Sequence, residues 1–463
     1  MKKGLSIITI CLVMIALLLS ACGSGSEGEP SNVSGNQQQT QGGSSSNTNN
    51  SSDQASNDEG AKSDEYDIPE GTKIVIVNGG GNSMEKVMAQ YGEALQAKFP
   101  HVNFEFLNTT SELTLDKVVL SGSDMDIFIR SIGSIFYEMP QNGLTYDMTE
   151  LIKKHNVDLS RIDPVLMNSM TDNANGEIWG IPYLNSTLVM YYNKDLFDQF
   201  GIDYPRDGMT WDEVIEVSKN FNVTKDGVNY VGLEFSNHHM TKLNNFSLSY
   251  VDPNTGLSTY DDERWKAVLS QFYEASQDPG YQYFMQQNEN KMPSKHFYEG
   301  VVAMYVTLVV HSGNEDFKNL DFAWDLVSAP IYDENPGIGA QAYPEYLAIT
   351  SNSKNKDAAM EVIKYLISDE FQYEFSKKGF MPVLTNKDVQ AVFGTGEYQG
   401  INQQAVFYNP FATVMRKSVY DNDVEKKLTG YINKIALGQI DINTALRQAK
   451  EEADLVIAEK SKK

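Results

Sequence analysis

The sequence predicts an α/β protein with two lobes, and three observations support this prediction. An apolar strand, "KIVIV" from Lys73 to Val77, precedes Gly79-Gly80-Gly81 and a helix, and "VNFEFL" and "MDIFIR" form the next strands. Strands that alternate with amphipathic helices indicate βαβ units and mainly parallel sheets. The length of 463 residues is sufficient for two or more domains with sizeable cores.

The helices are indicated by apolar spacing and by capping residues. A helix is expected after Ser83, and "TWDEVIEVSKNF" begins with a capping box formed by Thr210 and Glu213, which predicts that Trp211 packs at a helix start. Asn193 and Gly201 are expected to cap the two ends of the helix after "LVMYY". Apolar residues at helical spacing recur in Ala359, Val362, Ile363 and Leu366, and again in Ile442, Ala445, Leu446, Ala449, Ala453 and Val456.

The N-terminus predicts export and a lipid anchor. Lys2-Lys3, an apolar stretch from about Leu5 and the small residues of "LSAC" form a secretory signal over residues 1–21, whereas a transmembrane anchor needs about 20 apolar residues. "LSAC" resembles the bacterial lipobox, and this resemblance implies cleavage before Cys22 and a lipid on its sulfur. Because Cys11 leaves with the signal, the mature chain is expected to have no disulfide and no free thiol.

The next segment and the charge limit the possible partners. Residues 22–66 are rich in Ser, Asn, Gln and Gly, which predicts a flexible tether with a reach of roughly 35 Å. The formal net charge is −25, from 37 basic and 62 acidic residues. Nucleic acid and anionic lipid surfaces are therefore excluded as expected partners of the folded body.

Four stretches resemble one known family in their order and spacing. They are "SDMDIFIR", "GIPYLNSTLVMYYNKDLFDQFGI" followed by "TWDEV", "FYEGVVAMYV", and "AYPEYLAITSNSKNKDAAMEVIKYLIS". Together they are similar to the extracellular solute-binding proteins of ABC importers, in the branch that includes maltose-binding protein. The resemblance covers essentially everything after the tether, and it implies a type II periplasmic-binding-protein fold whose ligand cleft lies between two lobes.

The family resemblance also implies where the chain passes between the lobes. The first crossing is expected at Leu184 to Val189, the return near Asp325 to Ile331, and a third near residues 390 to 405. Several crossings form a hinge that permits closure around a ligand. The expected lobes are residues 67–185 with 328–395, and residues 186–327 with 396–463.

Catalytic and metal-binding motifs are not recognisable in the sequence. No Lys-Ser/Thr pair follows Gly79-Gly80-Gly81, and Met84 occupies the third glycine position of a dinucleotide fingerprint, so these glycines either let the backbone approach the cleft or form a plain turn. Adjacent His238 and His239 should point apart, and there is no HExxH or GxSxG motif. We therefore predict no cofactor, no metal and no enzymatic activity.

The candidate ligand contacts follow from the family motifs. Sugar sites combine aromatic faces with amide, carboxylate and guanidinium groups. For the tyrosines the alternative is a core or surface aromatic, and for Arg130 it is a solvated strand end or a structural salt bridge. One departure is that Val309 and Val310 stand where many carbohydrate-binding members have a tryptophan. The candidates are Gly80, Asn82, Arg130, Tyr183, Asn185, Ser186, His311, Tyr343 and Tyr346.

These expectations combine into one function. The chain is predicted to be a monomeric, lipid-anchored receptor on the extracytoplasmic face of the bacterial cell membrane. It would deliver a small solute, with carbohydrate favoured, to the permease subunits of an ABC importer. Two alternatives stay open, namely a receptor for a peptide or polyamine, and a cell-surface carbohydrate-active enzyme.

Overall fold

The computed structural model describes residues 66–309, 317 and 319–462. The predicted signal, the tether up to residue 65, Cys22 and His311 lie outside the described residues. Within the described part of the chain, no helix is both long enough and apolar enough to span a bilayer.

Eleven strands are formed by the described residues, and nine of them build two sheets. The first sheet has the order β2-β1-β3-β11-β4, the second has the order β10-β5-β9-β8, and β6 with β7 forms a small hairpin. The strands are β1 (Lys73–Asn78), β2 (Asn103–Asn108), β3 (Ile127–Ser131), β4 (Ile181–Leu184), β5 (Leu188–Asn193), β6 (Thr224–Lys225), β7 (Val228–Asn229), β8 (Val231–Phe235), β9 (Val302–Leu308), β10 (Trp324–Ser328) and β11 (Glu345–Ile349).

Each sheet has its own hydrophobic core, so the protein is two-lobed as predicted. The first core is built on β1, β3, β4 and β11, and the second on β5, β8, β9 and β10. Helices cover the sheets, and the C-terminal helix Ile442–Lys460 packs its alanines into the second core. The apolar runs of β1 and β5 are almost fully buried, which is the pattern of strands covered on both faces.

The sheets are mixed rather than mainly parallel, which corrects the prediction. Three neighbouring pairs are parallel (β1–β2, β1–β3 and β8–β9), and four are antiparallel (β3–β11, β4–β11, β5–β9 and β5–β10). The reason lies in the crossings between lobes. Strand β4 leaves the first lobe by its carboxyl end and β11 enters by its amino end at the same side of the sheet, so β11 must run against both β4 and β3.

The helices begin and end largely where the capping residues indicated. Thr210 accepts from the Glu213 amide while the Glu213 side chain accepts from the Thr210 amide, so the predicted capping box is confirmed. Trp211 is buried at this helix start, Asn193 caps its helix, and Gly201 has the left-handed conformation of a C-terminal cap. The helix after Ser83 runs from Met84 to Lys98, with a π-helical turn at Met88–Gly92.

Helices and short turns surround the two sheets. Short 3₁₀ turns occur at Leu159–Arg161, Lys219–Phe221 and Gln403–Phe407. The α-helices with described bounds are Met84–Val87, Glu93–Lys98, Leu115–Leu120, Ile135–Gln141, Thr149–Lys154, Pro164–Asn173, Lys194–Phe200, Trp211–Ser218, Asn237–Lys242, Arg264–Ser276, Pro279–Gln287, Lys356–Leu366, Asp369–Lys377, Lys387–Ala391, Asp421–Thr429, Ile432–Ala436 and Ile442–Lys460.

The chain passes between the lobes at three places that lie side by side. It leaves the first sheet at Leu184 and enters the second at Leu188. The return was expected near Asp325 to Ile331, but β10 belongs to the second sheet and Ala340 to the second core, so the chain returns only at about Ala342. Strand β10 pairs with β5 at the edge of the second sheet, so the chain completes this sheet before it returns to the first lobe.

The C-terminal part crosses again and then touches both lobes. Val389 belongs to the first core and Phe393 to the second, so this passage falls in the region expected for the third crossing. Further on, Val414 packs in the first core and Met415 in the second. The Met415 amide donates to Gln341 Oε1 at 2.7 Å, which ties this segment to the return crossing.

Candidate functional site

The cleft lies where the strand ends of one sheet face those of the other. In the first lobe these are the carboxyl ends of β1, β3 and β4 and the amino end of β11. In the second lobe they are the carboxyl ends of β8, β9 and β10 and the amino end of β5, as the antiparallel registers require. Open α/β sheets bind ligands at such strand ends.

The first lobe contributes a wall around Arg130, the penultimate residue of β3. Its Nη2 lies 2.6 Å from Glu138 Oε1, and its Nη1 donates to the Gly79 carbonyl. The two side chains are only 20% and 18% exposed. Burial opposes the charged form, but the Glu138 carboxylate outweighs it and raises the pKa of Arg130. The Arg130 guanidinium is therefore paired within the protein, which corresponds to the structural salt bridge that was the alternative to a ligand contact.

The helix Ile135–Gln141 after β3 carries this wall towards the second lobe. The Tyr137 hydroxyl donates to Glu138 Oε1 at 3.2 Å, and its oxygen lies 3.1 Å from Ser134 Oγ. Asn422, from the second lobe, donates its Nδ2–H to the Tyr137 hydroxyl at 3.3 Å. Tyr137 therefore links the two walls.

The second lobe contributes a wall from the helix Asn237–Lys242, which directly follows β8. Lys242 Nζ lies 3.3 Å from Glu425 Oε2 and donates to His238 Nε2 at 2.9 Å, and His238 Nδ1 contacts Glu425 Oε1. Burial, with the nearby His238 and Lys242, lowers the pKa of His239 to about 3. His239 is therefore neutral and hydrogen-bonds Ser236 Oγ at 2.7 Å.

Two further charges in this wall have no such partner. Asp421 is 7% exposed, and its Oδ1 has no hydrogen-bond partner among the described residues. Burial raises the pKa of Asp421 to about 6, although the Lys417 charge acts in the opposite direction. Burial likewise lowers the pKa of Lys417 to about 8, and within the described chain no carboxylate oxygen lies within the 4.0 Å salt-bridge distance of its ammonium group.

Contacts connect the two walls at two places. On one side Tyr137 meets Asn422. On the other side the rings of His239 and Tyr343 have centroids 6.5 Å apart, and Ser131 Oγ lies 3.4 Å from the Tyr343 hydroxyl. Because Ser131 adjoins Arg130, these contacts close a circuit that runs through both lobes. We take the cleft beside these contacts as the candidate ligand site.

Three predicted residues lie at the crossings between the lobes, beside this candidate site. Asn185 and Ser186 form the first crossing, and the Tyr343 amide donates to Ser186 O at 2.8 Å and to Asn185 Oδ1 at 3.2 Å. Tyr343 packs against both cores, and a Cβ on Gly133 would collide with its hydroxyl. Ser186 Oγ is buried and has no hydrogen-bond partner in the described structure.

Tyr183 and Tyr346 lie in the first core and not at the cleft, which corrects their assignment as ligand contacts. Both are fully buried. The Tyr183 hydroxyl donates to Glu345 Oε2 at 3.2 Å, and the Tyr346 hydroxyl lies 2.5 Å from Ser169 Oγ. Helices cover both faces of β4 and β11, so a tyrosine on either face is enclosed.

Gly80 and Asn82 lie at the rim beyond β1. The Gly80 amide donates to Asn78 Oδ1 at 2.7 Å, and Asn82 O accepts from Asn108 Nδ2 at 2.8 Å. Gly79 allows close approach, since its Cβ would be 2.8 Å from Arg130 Cδ, whereas Gly81 has a φ of +69°. Gly81 therefore has the backbone conformation of a turn, and Gly79 lies against the Arg130 side chain, while an approach of this backbone to a ligand stays a prediction.

Sequence reasoning missed most residues of the circuit. Tyr137 and Glu138 follow β3, and His238 and His239 follow β8, so the rule that ligands bind at carboxyl strand ends could have selected them. Asp421 carries no such signal, because it reaches the cleft from a helix late in the chain. Among the described residues, no group of three or more His, Cys, Asp or Glu could hold a metal ion.

Comparisons with known proteins agree with this geometry. A family described as bacterial extracellular solute-binding protein matches residues 78–373, and the chain belongs to this family. A protein of Brucella abortus named as a binding protein is 27% identical over 234 residues, which are 48% of this chain and 54% of that protein. The chain therefore spans about half the length of such curated relatives. The sn-glycerol-3-phosphate-binding protein UgpB of Salmonella typhi is 36% identical over 61 residues, 13% of this chain and 14% of that protein.

Solved structures show the same two-lobed fold. An ABC substrate-binding protein from Listeria monocytogenes in complex with cycloalternan has a TM-score of 0.66 at 17% identity, over 84% of this chain and 100% of that one. A sugar transporter from Rhizobium etli in an open conformation has a TM-score of 0.66 at 22% identity, over 82% and 99%. UgpB from Mycobacterium tuberculosis with glycerophosphocholine has a TM-score of 0.64 at 16% identity, over 85% and 100%.

Proposed function

We propose that this protein is the substrate-binding component of an ABC importer, anchored by a lipid on Cys22. It captures a neutral sugar or oligosaccharide between its lobes and delivers it, unchanged, to the permease. Family membership supports the binding role. The anchor rests on the sequence "LSAC".

The observation that carries the ligand class is a set of buried polar atoms without partners around the cleft. Buried polar groups are nearly always hydrogen-bonded, so each exception needs an explanation. Among the described residues beside the cleft, these exceptions include one donor, Arg130 Nε, two acceptors, Asn237 Oδ1 and Asp421 Oδ1, and the Ser186 hydroxyl, which can do both. A sugar hydroxyl also donates and accepts, so a polyhydroxylated ligand can satisfy all of them.

The charges of the cleft argue against an anionic ligand. Arg130 is paired with Glu138, and Lys242 with Glu425. The charges of the remaining Lys417 and of Asp421 act on each other, and an ionised Asp421 would repel a phosphate or carboxylate that approached this lysine. The similarity to UgpB proteins therefore does not by itself suggest a phosphate ester here.

A ligand panel tests this proposal on the purified full-length chain. Thermal unfolding would be followed with maltose, mannobiose, cycloalternan, glycerol 3-phosphate, spermidine and a dipeptide. We expect a neutral saccharide to raise Tm, since a ligand at 100 times its Kd stabilises the native state by about 2.7 kcal/mol. Stabilisation by glycerol 3-phosphate or spermidine alone would contradict the ligand class, and turnover of a glycan by pure protein would contradict a receptor.

Ser186 provides a sharper test of the site. Ser186→Ala should weaken binding of the saccharide about fivefold in calorimetry, because one neutral hydrogen bond contributes about 1 kcal/mol. Unliganded stability should hold, since the hydroxyl has no partner to lose. Ser461→Ala, which replaces an exposed serine, is the matched control. Equal affinity of the Ser186→Ala and Ser461→Ala proteins would remove Ser186 from the site.

The anchor is tested separately from the ligand. Cys22→Ala should abolish incorporation of radioactive palmitate in cells and release the protein from the membrane fraction, while saccharide binding is retained. Cys11→Ala is the control, because that cysteine precedes the expected cleavage site. Palmitate labelling that persists in Cys22→Ala would refute the lipobox assignment.

A further inference from the structure

The second lobe has a polar pocket that shares no residue with the contacts around the cleft. The pocket is formed by the start of the helix Trp211–Ser218, one face of the helix Arg264–Ser276 and the segment Tyr332–Glu334, and its volume is about 230 Å³. Trp211 and Tyr332 in its lining belong to the core of the second lobe. The pocket is therefore built on a single lobe.

Four exposed carboxylates line this pocket without a basic partner. They are Asp212, Glu274, Asp333 and Glu334. Among the described residues, none of the four has a Lys, Arg or His nitrogen within the 4.0 Å salt-bridge distance. Basic residues on or next to the two helices pair with other carboxylates, namely Lys219 with Glu216, Arg264 with Asp262 and Lys266 with Glu263.

These carboxylates lie close enough to repel one another. Burial raises the pKa of Glu274, and the charges of Asp212 and Glu334 raise it further, whereas Lys219 acts in the opposite direction. Asp212 stands in the first turn of its helix, where a negative charge is favourable. Glu274 stands in the last turn of Arg264–Ser276, where a negative charge is unfavourable. The position of Glu274 is therefore not explained by the stability of the helix.

A buried amide adds a further acceptor to the pocket. Gln271 precedes Glu274 by one helical turn, lines the same pocket and is only 5% exposed. Its Nε2 donates to the Ala267 carbonyl at 3.2 Å, which fixes the orientation of the amide and leaves Oε1 as the free atom. Among the described residues, Oε1 has no hydrogen-bond partner. Buried acceptors are nearly always hydrogen-bonded, so this oxygen indicates a missing donor.

We propose that this pocket binds a small aliphatic polyamine. The four carboxylates and the free amide oxygen only accept hydrogen bonds, so a matching ligand supplies N–H donors and positive charge. Ammonium groups that are separated by methylenes reach several carboxylates that stand apart. A metal ion instead needs ligands that converge on one point, and no group of three or more His, Cys, Asp or Glu does so in the described part of the chain.

Calorimetry with spermidine on the purified full-length protein tests this proposal. A salt concentration of about 0.15 M screens unspecific attraction to the acidic surface. We expect one spermidine per chain. Glu274→Gln should weaken this binding about tenfold, because a hydrogen bond to a charged group contributes more than a neutral one. Since the substitution also relieves repulsion, Glu274→Gln should unfold at the same temperature as the parent protein or at a higher one.

Glu459→Gln is the matched control for the loss of one negative charge. Glu459 is also an exposed glutamate in the last turn of a helix of the second lobe, and it forms no salt bridge among the described residues. The Glu459→Gln protein should bind spermidine like the parent. Absence of spermidine binding by the parent, or equal weakening in Glu274→Gln and Glu459→Gln, would overturn the proposal.

A second variant tests the buried amide. Gln271→Met removes the free acceptor and keeps an unbranched side chain that favours a helix. We expect spermidine affinity to fall about fivefold, because one hydrogen bond is lost. Spermidine affinity equal to that of the parent would overturn the assignment of this pocket.

Two further ligands separate this pocket from a metal site and from the cleft. Mg²⁺ that binds as tightly as spermidine and is lost in Glu274→Gln would show a metal site and overturn the proposal. Saccharide affinity should be the same in Glu274→Gln as in the parent, since the pocket shares no residue with the candidate cleft contacts. Stabilisation by spermidine that disappears in Glu274→Gln thus belongs to this pocket. Stabilisation that persists there and competes with saccharide belongs to the cleft and contradicts a separate polyamine site.

Discussion

The two walls of the cleft differ in whether their buried charges form ion pairs. In the first lobe, Arg130 and Glu138 pair at 2.6 Å, and the Gly79 carbonyl also accepts from the guanidinium. In the second lobe, Asp421 is more deeply buried and forms no salt bridge among the described residues, and the Lys417 charge and the Ser418 amide offset only part of the cost of its burial. Removing one member of a buried pair leaves the other charge uncompensated, whereas removing a buried charge that has no ion-pair partner relieves a cost. Mutations that remove the buried charge should therefore change the free energy of unfolding in opposite directions in the two walls.

The largest effect is expected from the paired wall. Arg130→Ala leaves Glu138 partly buried without its cation and should lower the free energy of unfolding by about 3 kcal/mol, even without ligand. Urea denaturation measures this change. Arg447→Ala breaks an exposed ion pair with Glu451 and serves as the control, since exposed pairs are screened and contribute little.

Loss of stability in Arg130→Ala would support the structural role of Arg130. Unchanged stability combined with loss of saccharide binding would return Arg130 to the ligand contacts. The double variant Arg130→Ala with Glu138→Gln refines the comparison. It should recover part of the stability, because the unpaired carboxylate is then also removed.

The unpaired wall should gain stability when its charge is removed. The folded protein binds the Asp421 proton more tightly than the unfolded chain, whose aspartates titrate near pH 3.9. Asp421 therefore lowers stability as the pH rises from about 4 through about 6, and the penalty is complete at pH 7. Asp421→Asn should raise the free energy of unfolding at pH 7 by about 1 to 2 kcal/mol and leave it almost unchanged at pH 4.

Chemical denaturation at the two pH values measures this difference. Asp423→Asn is the control for removing a carboxylate from the same helix, because Asp423 is ion-paired with Lys460. Destabilisation by Asp421→Asn at pH 7 would show that Asp421 has a favourable partner and that the contrast between the walls is wrong.

The smallest effect concerns a residue behind the first wall. Tyr346→Phe removes the hydroxyl that contacts Ser169 Oγ and should lower stability by about 1 kcal/mol, because Ser169 keeps its bond to Leu166 O. Saccharide affinity should not change, since Tyr346 is enclosed in the core. Calorimetry checks the affinity and thermal unfolding the stability. A loss of affinity without a loss of stability would place Tyr346 at the ligand after all.

Much of the fold could be predicted from local patterns in the sequence. The capping box of Thr210 and Glu213, the helix limits at Asn193 and Gly201, and the crossing between Leu184 and Leu188 all agree with the structure. These features depend on residues within a few positions of one another, so a short stretch of sequence is sufficient to predict them. The direction of β11 was not predicted, because it depends on which side of the sheet the returning chain enters.

The residue types needed for a polar cleft were also visible in the sequence, but their positions were not. Tyr183 and Tyr346 have the composition of a sugar site, yet helices enclose them, while Asn185, Ser186 and Tyr343 lie at the hinge. The sequence by itself determined the family, the helices and most strands, because periodicity and caps act locally. Only the tertiary structure decided which charges are paired. Arg130 meets Glu138 one helix later, whereas Asp421 in the other lobe forms no salt bridge among the described residues, since burial and contact depend on how distant segments pack.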